Sequence, residues 1–406
     1  MLPWIRVNID FLNVALFTFF LFPIWIPLLG ANAAYQFFLY PLIALIFYKK
    51  ILIPNSFILF GIFLYTLILC VSVFIKQDFV EFIDRRFISF ILFISMFFLV
   101  FSPFKEKHIL AFKISLVLAS FLNILPIMYE AISSGLNNLT YISKITLADG
   151  GTRYGFVYLM AFWIVFFFQS QDIKVNFLKY LSIFILLVGL LLTFNRSALL
   201  GLGGSLFLYF FYYTFFYKEK INIKLKKISL LILFFILIFL IVYNSVPFLV
   251  DFFISRFSLL FTNPLVTLYS DDIINYVSLY DSAGYRLYIW NLIYQFILLN
   301  PFSGSGYLGV WILLSDLSGS AHGQFQDIFF RVGIIGSLYF GLILIFILNK
   351  LFVNKQFELF WGFSSILIFS LFNETFSLGT GKFILAFLIA ICFQKGLMNK
   401  STRHEN

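Results

Sequence analysis

Charge is scarce in this chain: charged residues make up 11% of its 406 positions, and cysteine and histidine number only two and three. A soluble domain of this length carries about 25% charged residues, so the shortage excludes one. The two cysteines, Cys70 and Cys392, sit inside apolar runs and read as small core residues, not as a disulfide framework. No His/Cys/Asp cluster has metal-ligand spacing, and neither a P-loop nor a dinucleotide fingerprint occurs, so no metal and no cofactor is expected. The net charge of +10 is mostly lysine in short loops. That pattern fits contact with an anionic membrane leaflet, so membrane lipid is an expected partner and nucleic acid is not.

What the chain has in abundance is apolar length. Hydrophobic residues reach 62%, phenylalanine alone numbers 61, and the mean hydropathy is +1.00. Apolar runs of about 15–22 residues recur throughout, enough to cross a hydrocarbon core roughly 30 Å thick. Lipid offers no partner for exposed backbone polar groups, so such runs must be helices. They do not alternate as barrel strands would. The reading is an all-α integral membrane protein with about twelve transmembrane helices: 10–29, 33–48, 56–75, 87–101, 109–129, 154–170, 180–195, 198–217, 229–247, 326–348, 358–373 and 382–396. The first run holds Pro23 and Pro27 with no small-residue cleavage site after it, and reads as a span, not a signal peptide. No internal repeat appears, and 1–406 reads as a single polytopic domain.

With both termini cytoplasmic, alternate loops hold Lys49/Lys50, Lys105/Lys107, Lys174/Lys179, Lys218 to Lys227, Lys350/Lys355 and the tail, all on one side. About 16 of the roughly 18 basic residues on that side are lysine, against about 7 arginines in 10 on the other. The outer side has one long loop, 248–325, lying between spans 9 and 10. It contains an apolar helix-like run, Leu287–Leu299, placed as an interfacial or re-entrant helix, followed by a turn-rich Pro301-Phe302-Ser303-Gly304-Ser305-Gly306.

Beside Arg85 and Arg86 in the short loop 76–86, the outer side carries Arg153, Arg196, Arg256, Arg286 and Arg331. Lysine would serve topology alone, whereas the planar guanidinium fork binds phosphate oxygens bidentately. Arg196 lies between two apolar spans, where a charge is expensive, and small residues after it (Ser197, Ala198, Gly201) allow close packing. Snorkelling to headgroups is its plainer reading. Arg153 precedes span 6 and is equally an anchor. Arg286 lies beside Tyr288 and Trp290, a pattern also common in interfacial belts. Arg331 falls four residues after Asp327, the spacing of a structural ion pair. His322 is the one histidine on the outer side, since His108 and His404 fall inside. A neutral imidazole is the usual proton acceptor near pH 7, with a helix-capping histidine as the plainer reading. Glu374, at the outer end of span 11, is the carboxylate alternative.

Asn195-Arg196-Ser197-Ala198, Arg286 followed by Asn300-Pro301-Phe302-Ser303-Gly304-Ser305-Gly306, and His322 followed by Gly333-Ile334-Ile335-Gly336 together resemble the O-antigen polymerase and O-antigen ligase superfamily. Asn195 stands where that pattern commonly has Ser, and Gly323 where Asn often follows the histidine. The resemblance implies a GT-C-type, metal-independent glycosyltransferase at the periplasmic face of the bacterial inner membrane, with 248–325 contributing to the active site. Its donor would be a polyprenyl-pyrophosphate-linked glycan, and a chain-length regulator is a further candidate partner. A polymerase passes the glycan to the next lipid-linked repeat unit, making a surface polysaccharide (O-antigen or capsule); a ligase passes it to lipid A-core. The expected catalytic residues are His322, Arg196 and Arg286, with Arg153, Arg256, Glu374, Tyr288 and Trp290 binding substrate. A lipid-linked-glycan flippase or other transporter is the rival from another class. Transporters show repeat symmetry and charged or broken helices at mid-membrane, whereas here the polar weight lies at one face.

Overall fold

The structure, a computed structural model, describes residues 11–22, 53–75, 83–134, 155–192, 195–216, 229, 282–313, 323–377 and 379–393. Expected spans 33–48 and 229–247 lie essentially outside them. The elements are α1 (Phe11–Leu21), α2 (Ser56–Ile75), α3 (Ile83–Ile94, continued by a 3-10 turn over Ser95–Phe101), α4 (Glu106–Ser134), α5 (Gly155–Phe167), α6 (Ile173–Leu192), α7 (Arg196–Phe216), α8 (Ser282–Leu299), α9 (Gln324–Val353), α10 (Phe357–Ser370) and α11 (Gly379–Phe393). Five helices among the described residues are long and apolar enough to cross a membrane. The chain is an α-helical membrane protein.

Two differences from the sequence reading concern helix ends. The 109–129 run is the middle of a longer helix, α4, because its first turn recruits a polar cap. The Lys105 backbone N–H donates to His108 Nδ1 (2.8 Å), and the His108 N–H returns to Lys105 O (2.9 Å). This is the reciprocal logic of a capping box with imidazole as the acceptor. His108 is therefore buried in a helix and not in a loop. Likewise α8 begins at Ser282, ahead of the apolar run at Leu287, since helix geometry tolerates the polar residues that the run excluded.

The chain forms two compact units, Met1–Leu202 with Phe296–Asn406, and Gly203–Gln295. In the second, the described helical stretches are the remainder of α7 and most of α8. The first is built around two buried helices. Every residue of α5 from Gly155 to Trp163 is buried, and α5 packs on α10, α4 and α6. Helix α11 is buried almost throughout and packs on the 3-10 turn, α9 and α1. Small residues set the closest approaches. A Cβ on Gly201 would lie 2.8 Å from both Leu159 Cδ1 and Ser365 O, and one on Gly155 would lie 2.8 Å from Ala198 Cβ. This is how helices associate where lipid gives no hydrophobic drive. Outward faces remain apolar, with Phe63, Leu338 and Ile345 each more than 60% exposed.

Helix α9 breaks at Gly333 (φ 67°, ψ −169°). The break leaves groups that lipid cannot satisfy, and the turn over Pro301–Tyr307 supplies their partners. Ser305 N–H donates to Phe330 O (2.7 Å), Tyr307 N–H to Arg331 O (3.0 Å), and Ile334 N–H to Pro301 O (2.8 Å). The approach is too close for side chains: a Cβ on Gly304 would meet Phe330 O at 2.3 Å, and one on Gly333 would meet Phe302 O at 2.4 Å. Tyr307 locks the assembly by donating its hydroxyl to Tyr65 O (2.6 Å).

Gly333→Ala combines left-handed strain of about 1–3 kcal/mol with overpacking of similar size. It is expected to lower the thermal midpoint of the detergent-solubilised protein by several degrees. Gly341→Ala on the same helix, where an added Cβ meets nothing, is expected to be neutral or stabilising. Equal midpoints for the two variants would show that the break carries no strain.

Candidate functional site

The broken helix places a polar cluster at the N-terminal end of α9. Asp327, in its first turn, is 2% exposed, and its Oδ2 accepts from Arg331 Nε at 2.8 Å. The i,i+4 pair expected from the sequence is thus formed. Arg331 Nη1 also donates to Tyr307 O (3.0 Å), while Arg331 O accepts the Tyr307 N–H. The arginine is clamped at both ends by the turn that repairs the helix. Asp327 Oδ1 is buried and meets no hydrogen-bond donor among the described residues.

The turn between α10 and α11 closes over this pair. Gln324, 2% exposed, directs its carboxamide oxygen at three successive backbone N–H groups, those of Thr375 (2.9 Å), Phe376 (2.6 Å) and Ser377 (3.1 Å). Convergent N–H groups of this kind form an anion-binding concavity, filled here by the chain's own oxygen. Glu374 is half-buried, and its carboxylate accepts from the Ser377 hydroxyl (3.2 Å). Glu374 also acts electrostatically on Arg331. Lys382, only 8% exposed in the first turn of α11, is attracted by Asp327 and Glu374 and repelled by Arg331. Two carboxylates and two cations therefore share one buried end of the bundle, which offsets the cost of holding charge away from water.

Two of the sequence motifs reach the same turn through their neighbours. Asn195 caps α7, its Oδ1 accepting from Ser197 N–H (3.0 Å) and Ala198 N–H (3.3 Å), and the same oxygen accepts from Asn373 Nδ2 (3.2 Å). The Asn of Asn195-Arg196-Ser197-Ala198 thus performs the N-cap work expected of Ser at that position. Gly323 lies against the turn's first residue, since a Cβ there would meet Leu371 O at 3.1 Å. The first and third motifs therefore abut residues 371–377, a segment in which the sequence reading had singled out Glu374 alone.

The structure treats the expected site residues unequally. Glu374 is in the cluster. Trp290 is half-buried on α8, in the other unit. Arg196 opens α7, and Arg286 and Tyr288 lie on α8, with their side chains outside the described residues. His322, Arg153 and Arg256 lie outside the described residues altogether. Sequence reasoning missed Gln324 and Lys382 and treated Asp327–Arg331 as structural alone. The signal for Lys382 was available: a lysine on the arginine-rich side, just inside a span, is expensive unless paired.

The family comparison bears on the same region. Residues 181–341 match the family model described as O-antigen ligase. The match bears out the resemblance to the O-antigen polymerase and ligase superfamily, and the matched segment holds all three motifs together with Gln324, Asp327 and Arg331. No curated protein matches the chain.

Breaking the buried pair from one side leaves an uncompensated charge, at a cost of about 3–5 kcal/mol. Arg331→Met is expected to lower stability by that amount, and the double variant Asp327→Asn/Arg331→Met to recover most of it. Unfolding midpoints of the four proteins of this cycle measure the coupling; additive losses would mean that the two side chains act independently.

Proposed function

We propose that the chain polymerises polyprenyl-pyrophosphate-linked repeat units into a surface polysaccharide at the periplasmic face of the bacterial inner membrane. The observation that supports this reading is the family match over 181–341, a segment that contains Arg196, Arg286 and His322. In the proposed step, an acceptor sugar hydroxyl attacks the anomeric carbon of the donor glycan. The bond from that carbon to the pyrophosphate oxygen breaks, and the lipid pyrophosphate leaves with the electron pair. The hydroxyl proton passes to His322, a role worth about 10²–10⁴ in rate. Arg196 and Arg286, with Arg153 and Arg256, hold the developing pyrophosphate charge without reorganising. Glu374, Tyr288 and Trp290 are assigned to substrate binding. The twelve-span topology puts 248–325 on the periplasmic side, with both termini cytoplasmic and a chain-length regulator as a candidate partner.

The ligase reading shares the donor and differs in the acceptor, and the description of the matching family favours it. Transport is the weaker reading, because the charge cluster lies at one end of α9 and no internal repeat accompanies it.

The surface-polysaccharide ladder of a deletion strain separates these readings. A polymerase deletion leaves single repeats on the acceptor, a ligase deletion leaves none, and a flippase deletion leaves repeats on the cytoplasmic face. In a complemented polymerase strain, His322→Ala is expected to give a well-expressed protein and single repeats only. A long-chain ladder would transfer the base role to Glu374 or remove it.

Guanidinium geometry is tested separately. Arg196→Lys and Arg286→Lys are expected to lose nearly as much activity as the alanine variants, because a point charge does not replace a bidentate fork. Full activity at normal expression would reduce both arginines to membrane anchors.

A further inference from the structure

A groove of about 880 Å³ runs between α4, α5, α6 and the start of α10. It lies within the first unit, at the lysine-rich end of the bundle, opposite the end that holds the arginines. One wall is a single stripe of α4, from Glu106 through Ile109, Leu110, Lys113, Ile114, Val117 and Leu118 to Phe121. The steps of three and four keep these residues on one helix face. The fifteen steps from Glu106 to Phe121, at about 1.5 Å each, make the stripe about 22 Å long. The part beyond Lys113, from Ile114 to Phe121, is apolar and about 10 Å long, so it takes part of an acyl chain in a leaflet with about 15 Å of hydrocarbon.

Its shallow end is polar. Lys113 is shared by Gln356 Oε1 (2.9 Å) and the Glu358 carboxylate. Lys179 donates to Phe168 O (2.6 Å), just past the C-terminus of α5, and has no carboxylate partner among the described residues. An ammonium has three donors, so the Lys179 head keeps donors and charge for a ligand. The flanking helix ends add Lys105, Lys107 and Lys174 against Glu106 and Asp172, so lysine is in excess at the mouth. Ser182, one turn deeper than Lys179, is a further hydroxyl in the lining.

We propose that this groove binds an anionic phospholipid, its phosphate at Lys179 beside the Lys113–Glu358 pair and one acyl chain along the α4 stripe. The apolar stripe suits the upper part of an acyl chain, and the lysine excess suits an anionic head. The site is distinct from the donor site proposed above, because it stands at the other end of the bundle and needs no arginine fork. It serves to seat the α4–α5–α6 helices in the leaflet.

The test uses the full-length detergent-solubilised protein, stripped of lipid and titrated with phosphatidylglycerol, phosphatidylcholine or a polyprenyl phosphate. Native mass spectrometry and thermal midpoints give the readout. Wild type is expected to take up one phosphatidylglycerol and gain several degrees, with little response to phosphatidylcholine. Lys179→Gln is expected to weaken binding about fivefold, the scale of one lysine facing an anionic lipid. Lys174→Gln, which removes a charge at the same end but outside the lining, should leave it unchanged. Val175→Trp fills the groove without changing charge and should abolish uptake in a protein whose elution profile is still that of wild type. Equal uptake of the two phospholipids, tighter binding of polyprenyl phosphate, equal losses from Lys174→Gln and Lys179→Gln, or full uptake by Val175→Trp would each overturn the proposal.

Discussion

Backbone polar groups inside a membrane must find partners within the protein, and much of the arginine-side architecture follows from the place where this chain breaks that continuity. Gly333 interrupts α9, and the turn over Pro301–Tyr307 supplies the missing donors and acceptor. The repair does more than save the helix. Because the turn carries Tyr307, whose backbone oxygen receives Arg331 Nη1, it fixes the direction of that guanidinium and hence of Asp327. One local defect thus orients the charges at the end of α9.

Electrostatics builds outward from there. Asp327 and Lys382 are each more than nine-tenths buried, and neither is tolerable without the other charges nearby. Gln324 ties this end of α9 to the 375–377 backbone, and Asn195 ties the cap of α7 to Asn373 on the same turn. Segments far apart in the chain are held by hydrogen bonds between uncharged amides, which keep their strength in a low dielectric and carry no Born penalty. The lysine-rich end is organised differently. There the Lys113–Glu358 ion pair and a helix-end carbonyl hold ammonium groups, and an apolar groove remains between the helices.

Much of the helical content was legible in the sequence because hydropathy acts locally. The runs at 56–75, 154–170, 180–195, 198–217, 326–348 and 358–373 each fall on a helix, with boundaries shifted by a few residues where caps such as His108 or Asn195 decide the end. The Asp327–Arg331 pair was legible because its spacing is a property of one helix. The turn character of 301–306 was legible from glycine and proline. What that turn is for was not, since its partner is a glycine some thirty residues away whose φ no propensity predicts.

By itself the sequence determined that this chain lives in lipid and that it is helical, because solvent transfer is summed residue by residue. Only the tertiary structure decided that 301–307 fills the break in α9, that Gln324 gathers the 375–377 backbone, and that Lys382 joins Asp327, Arg331 and Glu374. Those outcomes depend on which unsatisfied group meets which donor across distant segments, and hydrogen-bond partners in a membrane interior are chosen by packing geometry, which no local pattern encodes.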